Sequence, residues 1–237
     1  MPKKAMMELS ESEEEYLESL YNLSRGVDKV KVSELADDLE ISAPSTVEML
    51  EKLDNKELVN YEKSSGCSLT DEGENIGRKI SRRHRVAERF LSDMLDRDLS
   101  QVHDEACELE HSLADKSADE IANILGNPDT CPHGQPIPKE GEEEVDEDSI
   151  KLAEAEEGRE YDVKSIPERE GDVQRLLPLA ILPGSRIKLA ENPSSGALMV
   201  KRGSDKLALS RDIASKIEVC KDEERKQRRR HRRGSRR

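Results

Sequence analysis

The stretch His103-Asp104-Glu105-Ala106-Cys107-Glu108-Leu109-Glu110-His111 brings together imidazole, thiol and carboxylate, three side-chain types that bind transition metals. On a helix His103, Cys107 and His111 fall at i, i+4 and i+8, and Glu110 sits one turn from Cys107, so all four share one side. One helix cannot close such a site, so other elements must supply ligands. Two stretches offer them. In Arg83-His84-Arg85-Val86-Ala87-Glu88, His84 and Glu88 are spaced i, i+4, and near the N-terminus Glu15 and Glu18 share a face. The bland alternative is that these are polar faces of a highly charged protein. Cys107 and His111 could also be read as a nucleophile and its base, but the sequence shows no orienting partner or oxyanion element. No Gly-rich phosphate loop appears, so an enzyme is the least favoured class.

The elements that must position these residues follow from periodicity and punctuation. Residues 10–26 form an amphipathic helix with an apolar stripe of Tyr16, Leu17, Leu20, Tyr21 and Leu23. A short helix over Glu34–Leu39, with Ser33 as its cap, is followed by Ser42-Ala43-Pro44 and a helix over Ser45–Leu53. Ser42 suits an N-cap and Pro44 a first turn, which together make a helix-turn-helix. Leu58–Tyr61 and Cys67–Thr70, joined by Ser64-Ser65-Gly66, read as a hairpin of the size of a wing. Thr70 then caps a long helix from Asp71 to about Leu95. A further helical unit from Ser100 to about Leu125 stops at Gly126-Asn127-Pro128.

Composition sets the class. With 33% apolar and 39% charged residues in 237, several small modules fit better than one large core, and with 2% aromatics those cores must be aliphatic. The net charge of −14 argues against nucleic acid until its distribution is read. Acid gathers at Glu13-Glu14-Glu15 and from Glu140 to Glu160, and base in Arg78–Arg89 and Arg225–Arg237. The four cysteines, Cys67, Cys107, Cys131 and Cys220, are dispersed, so neither a disulfide framework nor a Cys-x-x-Cys zinc knuckle is indicated. No leader or membrane span is expected, and the chain is placed in the reducing cytoplasm.

Glu14-Glu15-Tyr16-Leu17-Glu18-Ser19-Leu20-Tyr21, Arg83–Leu91, Val102–His111 and Gly134-Gln135-Pro136-Ile137-Pro138 resemble the iron- and manganese-dependent repressors named after the diphtheria toxin repressor. The resemblance covers residues 10 to about 138. A weaker likeness links 163–219, with Leu182-Pro183-Gly184-Ser185, to the family's C-terminal SH3-like domain, also found in bacterial ferrous-iron uptake. The resemblance implies a mainly α chain in five parts: a winged helix-turn-helix DNA-binding domain (1–74), a helical metal-binding and dimerisation domain (75–138), an acidic linker (139–160), a small SH3-like β-barrel (161–220) and a basic tail (221–237).

It further implies a homodimer that binds double-stranded DNA and Fe(II) or Mn(II), two ions per subunit, with no membrane and no small-molecule substrate. The alternative is a metal-independent winged-helix regulator. The regulatory site would use Glu15, Cys107, Glu110 and His111, with Glu18 close by, and the ancillary site His84, Glu88 and His103. Glu168 or Glu170 are candidates for a ligand from the C-terminal domain. Glu15 stands where iron-type members carry Met, so a soft thiolate is combined with hard carboxylates. That favours Fe(II) while leaving Mn(II) open. Cys131-Pro132-His133 could bind metal too, but reads first as a constrained loop packing on the dimer helices. DNA contacts are expected from Ser42, Ala43, Pro44, Ser45, Thr46 and Glu48 at the start of the reading helix, with Lys52, Lys56 and Lys63 on phosphate. The basic tail is expected to add nonspecific phosphate affinity.

Overall fold

The computed structural model describes residues 9–139 and 149–221. The core of the acidic run (140–148) and the basic tail (222–237) lie outside the described residues. The described chain divides into two compact units. One comprises the residues up to 84 together with 108–120, and the other 85–107 together with those from 121 onward.

The first unit begins with helix α1, Glu11–Leu23. Ser10 and Glu13 form a reciprocal capping box, with Ser10 N donating to Glu13 Oε2 at 2.8 Å. Helix α2 (Val32–Asp38) and helix α3 (Ala43–Asn55) make the helix-turn-helix. The cap of α2 is Lys31, not Ser33. Ser42 caps α3 by accepting from Ser45 N, with Pro44 in the first turn, where a missing N–H costs nothing. Strands β1 (Val59–Glu62) and β2 (Gly66–Leu69) pair antiparallel as a wing. Gly66 has a φ of +102° and an added Cβ would lie 2.3 Å from Val30 O, so only glycine fits there. Helix α4, Asp71–Leu95, starts where Thr70 Oγ1 accepts from Gly73 N. The core of this winged helix is aliphatic: Leu17, Leu20, Leu35, Leu50, Leu53, Leu58 and Ile80 are buried with Tyr16.

Helices α5 (Val102–Glu110) and α6 (Asp115–Ile124) follow. The helical unit read over 100–125 consists of two helices with a break at 111–114. Gly126 and Asn127, with φ of +78° and +53°, end the second of them.

In the second unit the C-terminal part is a six-stranded antiparallel sheet ordered β3-β8-β4-β5-β6-β7. Its strands are β3 (Ile150–Lys151), β4 (Glu160–Ser165), β5 (Arg186–Glu191), β6 (Leu198–Arg202), β7 (Asp205–Leu209) and β8 (Glu218–Lys221). Helices α7 (Glu170–Leu176) and α8 (Arg211–Lys216) complete it. Alternation along β5 puts Ile187 and Leu189 inside with Tyr161, Val163, Leu198, Val200 and Val219. The domain begins earlier than expected. Ile150 and Lys151 pair with Val219 and Glu218, and Leu152 and Ala155 join the core, so the acidic run ends in structure at 150 instead of continuing to 160. Among the described residues no helix is long and apolar enough to cross a membrane.

Candidate metal centres and nucleic-acid interface

Each unit assembles a cluster of its own. In the first, α1 contributes Glu14 and Glu18, one helical turn apart. Gly77 lets α4 approach α1 closely, since a Cβ there would meet Leu17 O at 2.5 Å, and two turns later α4 presents His84. The end of α5 supplies Glu110, and the turn after it His111. Ligand atoms of Glu18, His84 and Glu110 lie within 4.8 Å of one another. His84 Nδ1 is 2.7 Å from Glu110 Oε2, and both side chains are buried. His111 Nδ1 is 2.9 Å from Glu14 Oε2, and His111 Nε2 is 3.5 Å from Glu110 Oε1. Arg83 also reaches Glu14, at 3.2 Å. Three carboxylates and two imidazoles thus converge, a donor set that suits a hard or borderline divalent cation.

The second cluster joins Glu88 of α4 to Cys131, His133 and Glu168, whose ligand atoms also fall within 4.8 Å of one another. Glu88, Cys131 and His133 are buried. Local backbone chemistry explains how the loop is placed. Gly134, with φ of +89°, lies so close to β4 that a Cβ would come within 2.0 Å of Lys164 O, and Ile166 N donates to His133 O at 3.0 Å. That docking sets Cys131 Sγ 3.9 Å from Glu168 Oε1. His133 Nε2 donates to Leu99 O at 3.0 Å, which turns Nδ1 toward Glu88 Oε1, 3.0 Å away. An imidazole held through one nitrogen by a backbone carbonyl, with the other aimed at acidic groups, is the usual arrangement of a metal-binding histidine. His103 borders the same cluster, its Nδ1 3.7 Å from Glu88 and 3.9 Å from Glu168.

The electrostatics of this second cluster fit a cation. Burial pulls the His133 imidazolium toward deprotonation, but the Glu88 and Glu168 carboxylates outweigh it and hold the pKa above its ordinary value. Burial, with the same two carboxylates, pushes the Cys131 thiol well above its ordinary value. Acidic groups that favour a proton on both neighbours favour a bound cation equally, and a cation reverses the penalty on the thiolate.

The residues expected to bind metal are therefore regrouped. Glu18, His84, Glu110 and His111 share the first cluster. Glu15 is exposed, and Glu14 instead faces His111. Glu88 and His103 belong with the second, and the structure brings Cys131, His133 and Glu168 to them. Cys107 is half-buried on α5 with Sγ 3.9 Å from His103 Nε2. Cys131-x-His133 and Glu168 were each open to a metal reading in the sequence, but Glu168 is 35 residues beyond His133 and no local pattern links them.

On the reading helix Ser42, Ala43, Pro44, Ser45 and Glu48 are exposed. Thr46, expected among them, is fully buried, its Oγ1 donating to Ser42 O at 3.1 Å. It lies on the inward face with Leu50 and Leu53, so it cannot touch a base. Lys52 and Lys56 both turn to the buried carboxylate of Glu13, at 3.2 and 2.5 Å. Burial raises the pKa of Glu13, but hydrogen bonds from Lys56, the Ser10 backbone and Lys52 prevail and lower it to about 2. On the wing Lys63 is exposed and pairs loosely with Glu51 at 3.2 Å.

Comparison with known proteins decides the family. Residues 8–67 match the iron dependent repressor N-terminal DNA binding domain, 70–139 the iron dependent repressor metal binding and dimerisation domain, and 150–221 the FeoA domain. The chain belongs to the iron-dependent repressor family. Like other members of this family of metal-dependent transcription regulators, it aligns along nearly all of its length. It is 28% identical over 230 residues to the iron-dependent repressor IdeR of Mycobacterium tuberculosis, covering 91% of this chain and 100% of that one. It is 32% identical over 143 residues to the diphtheria toxin repressor of Corynebacterium glutamicum, covering 60% of this chain and 62% of that one. Among solved structures, a manganese-dependent transcriptional repressor in complex with manganese superposes with a TM-score of 0.79 at 27% identity, covering 88% of this chain and 99% of that one. ScaR with bound Cd2+ gives 0.76 at 30% identity, with the same coverage.

Proposed function

We propose that this family member is a homodimeric repressor of metal-uptake genes, acting in the cytoplasm, that binds its operator when each subunit holds two Fe(II) or Mn(II) ions, one in each cluster. It acts by binding alone and catalyses no reaction. The observation that carries the reading is the division of labour on α1. Glu14 and Glu18 enter the first metal cluster, while the adjacent Glu13 grips Lys52 and Lys56 of the reading helix α3.

A bound ion supplies positive charge among Glu14, Glu18 and Glu110. Without that charge, three carboxylates would repel one another across a partly buried site and α1 would be held less firmly against the end of α5. With it, α1 is fixed, and through Glu13 so is α3. An ion held by these residues would shift the equilibrium by its differential affinity for the two arrangements, and operator DNA would in turn raise the affinity for the ion. Ser42, Ala43, Pro44 and Ser45 meet the DNA first, Glu48 enters the groove behind them, and Lys63 meets phosphate from the wing. Lys52, already engaged by Glu13, has a positioning role. In the first cluster oxygen and nitrogen donors suit Mn(II) and Fe(II) alike, while the Cys131 thiol gives the second a softer character.

The test is binding of the full chain to the DNA upstream of its own gene under anaerobic titration with Fe(II) and with Mn(II), beside a chelator control. Binding that appears only with metal supports the proposal. Equal binding in chelator would leave a metal-independent winged-helix regulator.

A further inference from the structure

The exposed start of α3 has an unusual chemical character for a DNA-reading surface. From Ala43 to Glu51 it carries no Lys or Arg. Its outward residues are Ala43, Pro44 and Ser45, with Ser45 Oγ tied to Ser42 Oγ at 2.8 Å, and then Glu48 one turn further on. Charges that could neutralise Glu48 are used elsewhere. Lys52 stands at i+4 from Glu48, the favoured spacing for a Glu-to-Lys pair, yet it turns to Glu13. Glu51 pairs with Lys63. Among the described residues Glu48 makes no ion pair, so its carboxylate stands out from the helix as a group that only accepts hydrogen bonds.

We infer that Glu48 is a specificity-determining residue that reads a cytosine in each operator half-site. The inference rests on the regulator reading above and adds to it the identity of one base. Major-groove edges offer a carboxylate only two donors, cytosine N4–H2 and adenine N6–H2. Adenine places its N7 acceptor beside that donor, so the second carboxylate oxygen would face a lone pair. Cytosine places a C–H there. Guanine O6 and thymine O4 are acceptors and would leave the carboxylate desolvated and unpaired. Glu48 therefore discriminates chiefly by penalising wrong bases, and its charge also weakens binding to arbitrary sequence, because it adds repulsion inside a phosphate-lined groove.

The experiment is selection from a randomised duplex by the full-length protein, with saturating Mn(II), comparing the wild type with Glu48→Gln and Glu48→Ala. Both substitutions are at an exposed, unpaired position, and circular dichroism would confirm that each variant is folded. The wild type is expected to enrich a C·G pair at one fixed position of each half-site, preferred over the other pairs by roughly ten- to a hundredfold. Glu48→Ala should lose that preference and bind arbitrary DNA more tightly. Glu48→Gln should shift it toward adenine, which an amide can engage through N6 and N7 together. The same enrichment by all three proteins would overturn the assignment while leaving the regulator reading intact. No enrichment by any of them, with Mn(II) or with Fe(II), would overturn the regulator reading and the role of Glu48 with it.

Discussion

The two clusters use overlapping residue types on different scaffolds, and under the proposed function the difference gives them different work. The first is built on helices: α1, α4 and the end of α5 bring oxygen and nitrogen donors together within the unit that carries the reading helix. The second is built on a loop pressed against a sheet, where Gly134 allows Cys131 and His133 to reach Glu88 of α4 and Glu168 beyond β4. On the reading proposed above, an ion in the first cluster would fix the element that is salt-bridged to α3. An ion in the second would fix the loop and the C-terminal sheet. One cluster is thus suited to switching DNA binding, and the other to bracing its own unit.

The largest effect expected from breaking this contrast is at Glu110. Glu110→Gln keeps the shape of the side chain but removes a carboxylate that touches both His84 and His111, and should abolish the metal response of DNA binding. That is a loss on the order of 100-fold in Mn(II)-dependent affinity, read by fluorescence anisotropy. Cys131→Ser and His133→Asn should lower affinity for one of the two ions at least about tenfold while the metal response of DNA binding persists. Equal loss of that response in both sets of variants would erase the distinction between the clusters. Saturating Mn(II) at about 100 times its dissociation constant should stabilise the wild type by roughly 2.7 kcal/mol per site that binds only the folded chain. Glu110→Gln and Cys131→Ser should each retain part of this shift in thermal unfolding.

Smaller effects sharpen the role of α1. Glu13→Gln should leave Mn(II) affinity nearly unchanged but weaken the gain in DNA binding that the ion produces, by several-fold. Its pH signature is separate. The folded pKa of about 2 lies below the ordinary carboxylate value, so the stabilisation from Glu13 is full above that ordinary value and disappears as pH falls through about 2. Acid unfolding of wild type and Glu13→Gln should therefore differ most near neutrality and converge at the acid end. Parallel curves across that window would show that the ion triad with Lys52 and Lys56 contributes nothing. The smallest effect is at the wing: Lys63→Ala should reduce the slope of log affinity against log salt by about 1.

The winged helix was legible because local signals agree with one another. Ser42, Pro44 and Thr70 mark helix starts, Gly126-Asn127-Pro128 marks a stop, and the apolar stripe of α1 points inward as its spacing implies. Burial of Thr46 was also legible, since it shares a helical face with Leu50 and Leu53, although its hydroxyl is equally of a type that contacts DNA. Three consecutive glutamates posed a harder problem, because neighbours on a helix point about 100° apart. The capping box of Ser10 with Glu13 takes one of them out of play, but Glu14 and Glu15 both still share a face with Glu18, and only the contact of Glu14 with His111, across the fold, tells them apart. The second cluster could not be read in this way. Cys131, His133 and Glu168 meet Glu88 only because the loop at Gly134 docks on β4, a contact between distant parts of the chain. Strand β3 was hidden for a related reason. Two residues at the end of an acidic run become a strand only by pairing with β8.

The most direct test is to count ions and read DNA binding on the same protein samples. Anaerobic Mn(II) calorimetry on the full chain, on Glu110→Gln and on Cys131→Ser would be paired with operator binding by each. The account predicts two ions for the wild type and one for each variant, with metal-dependent operator binding lost only in Glu110→Gln. Two ions retained by both variants, or operator binding lost equally in both, would contradict it.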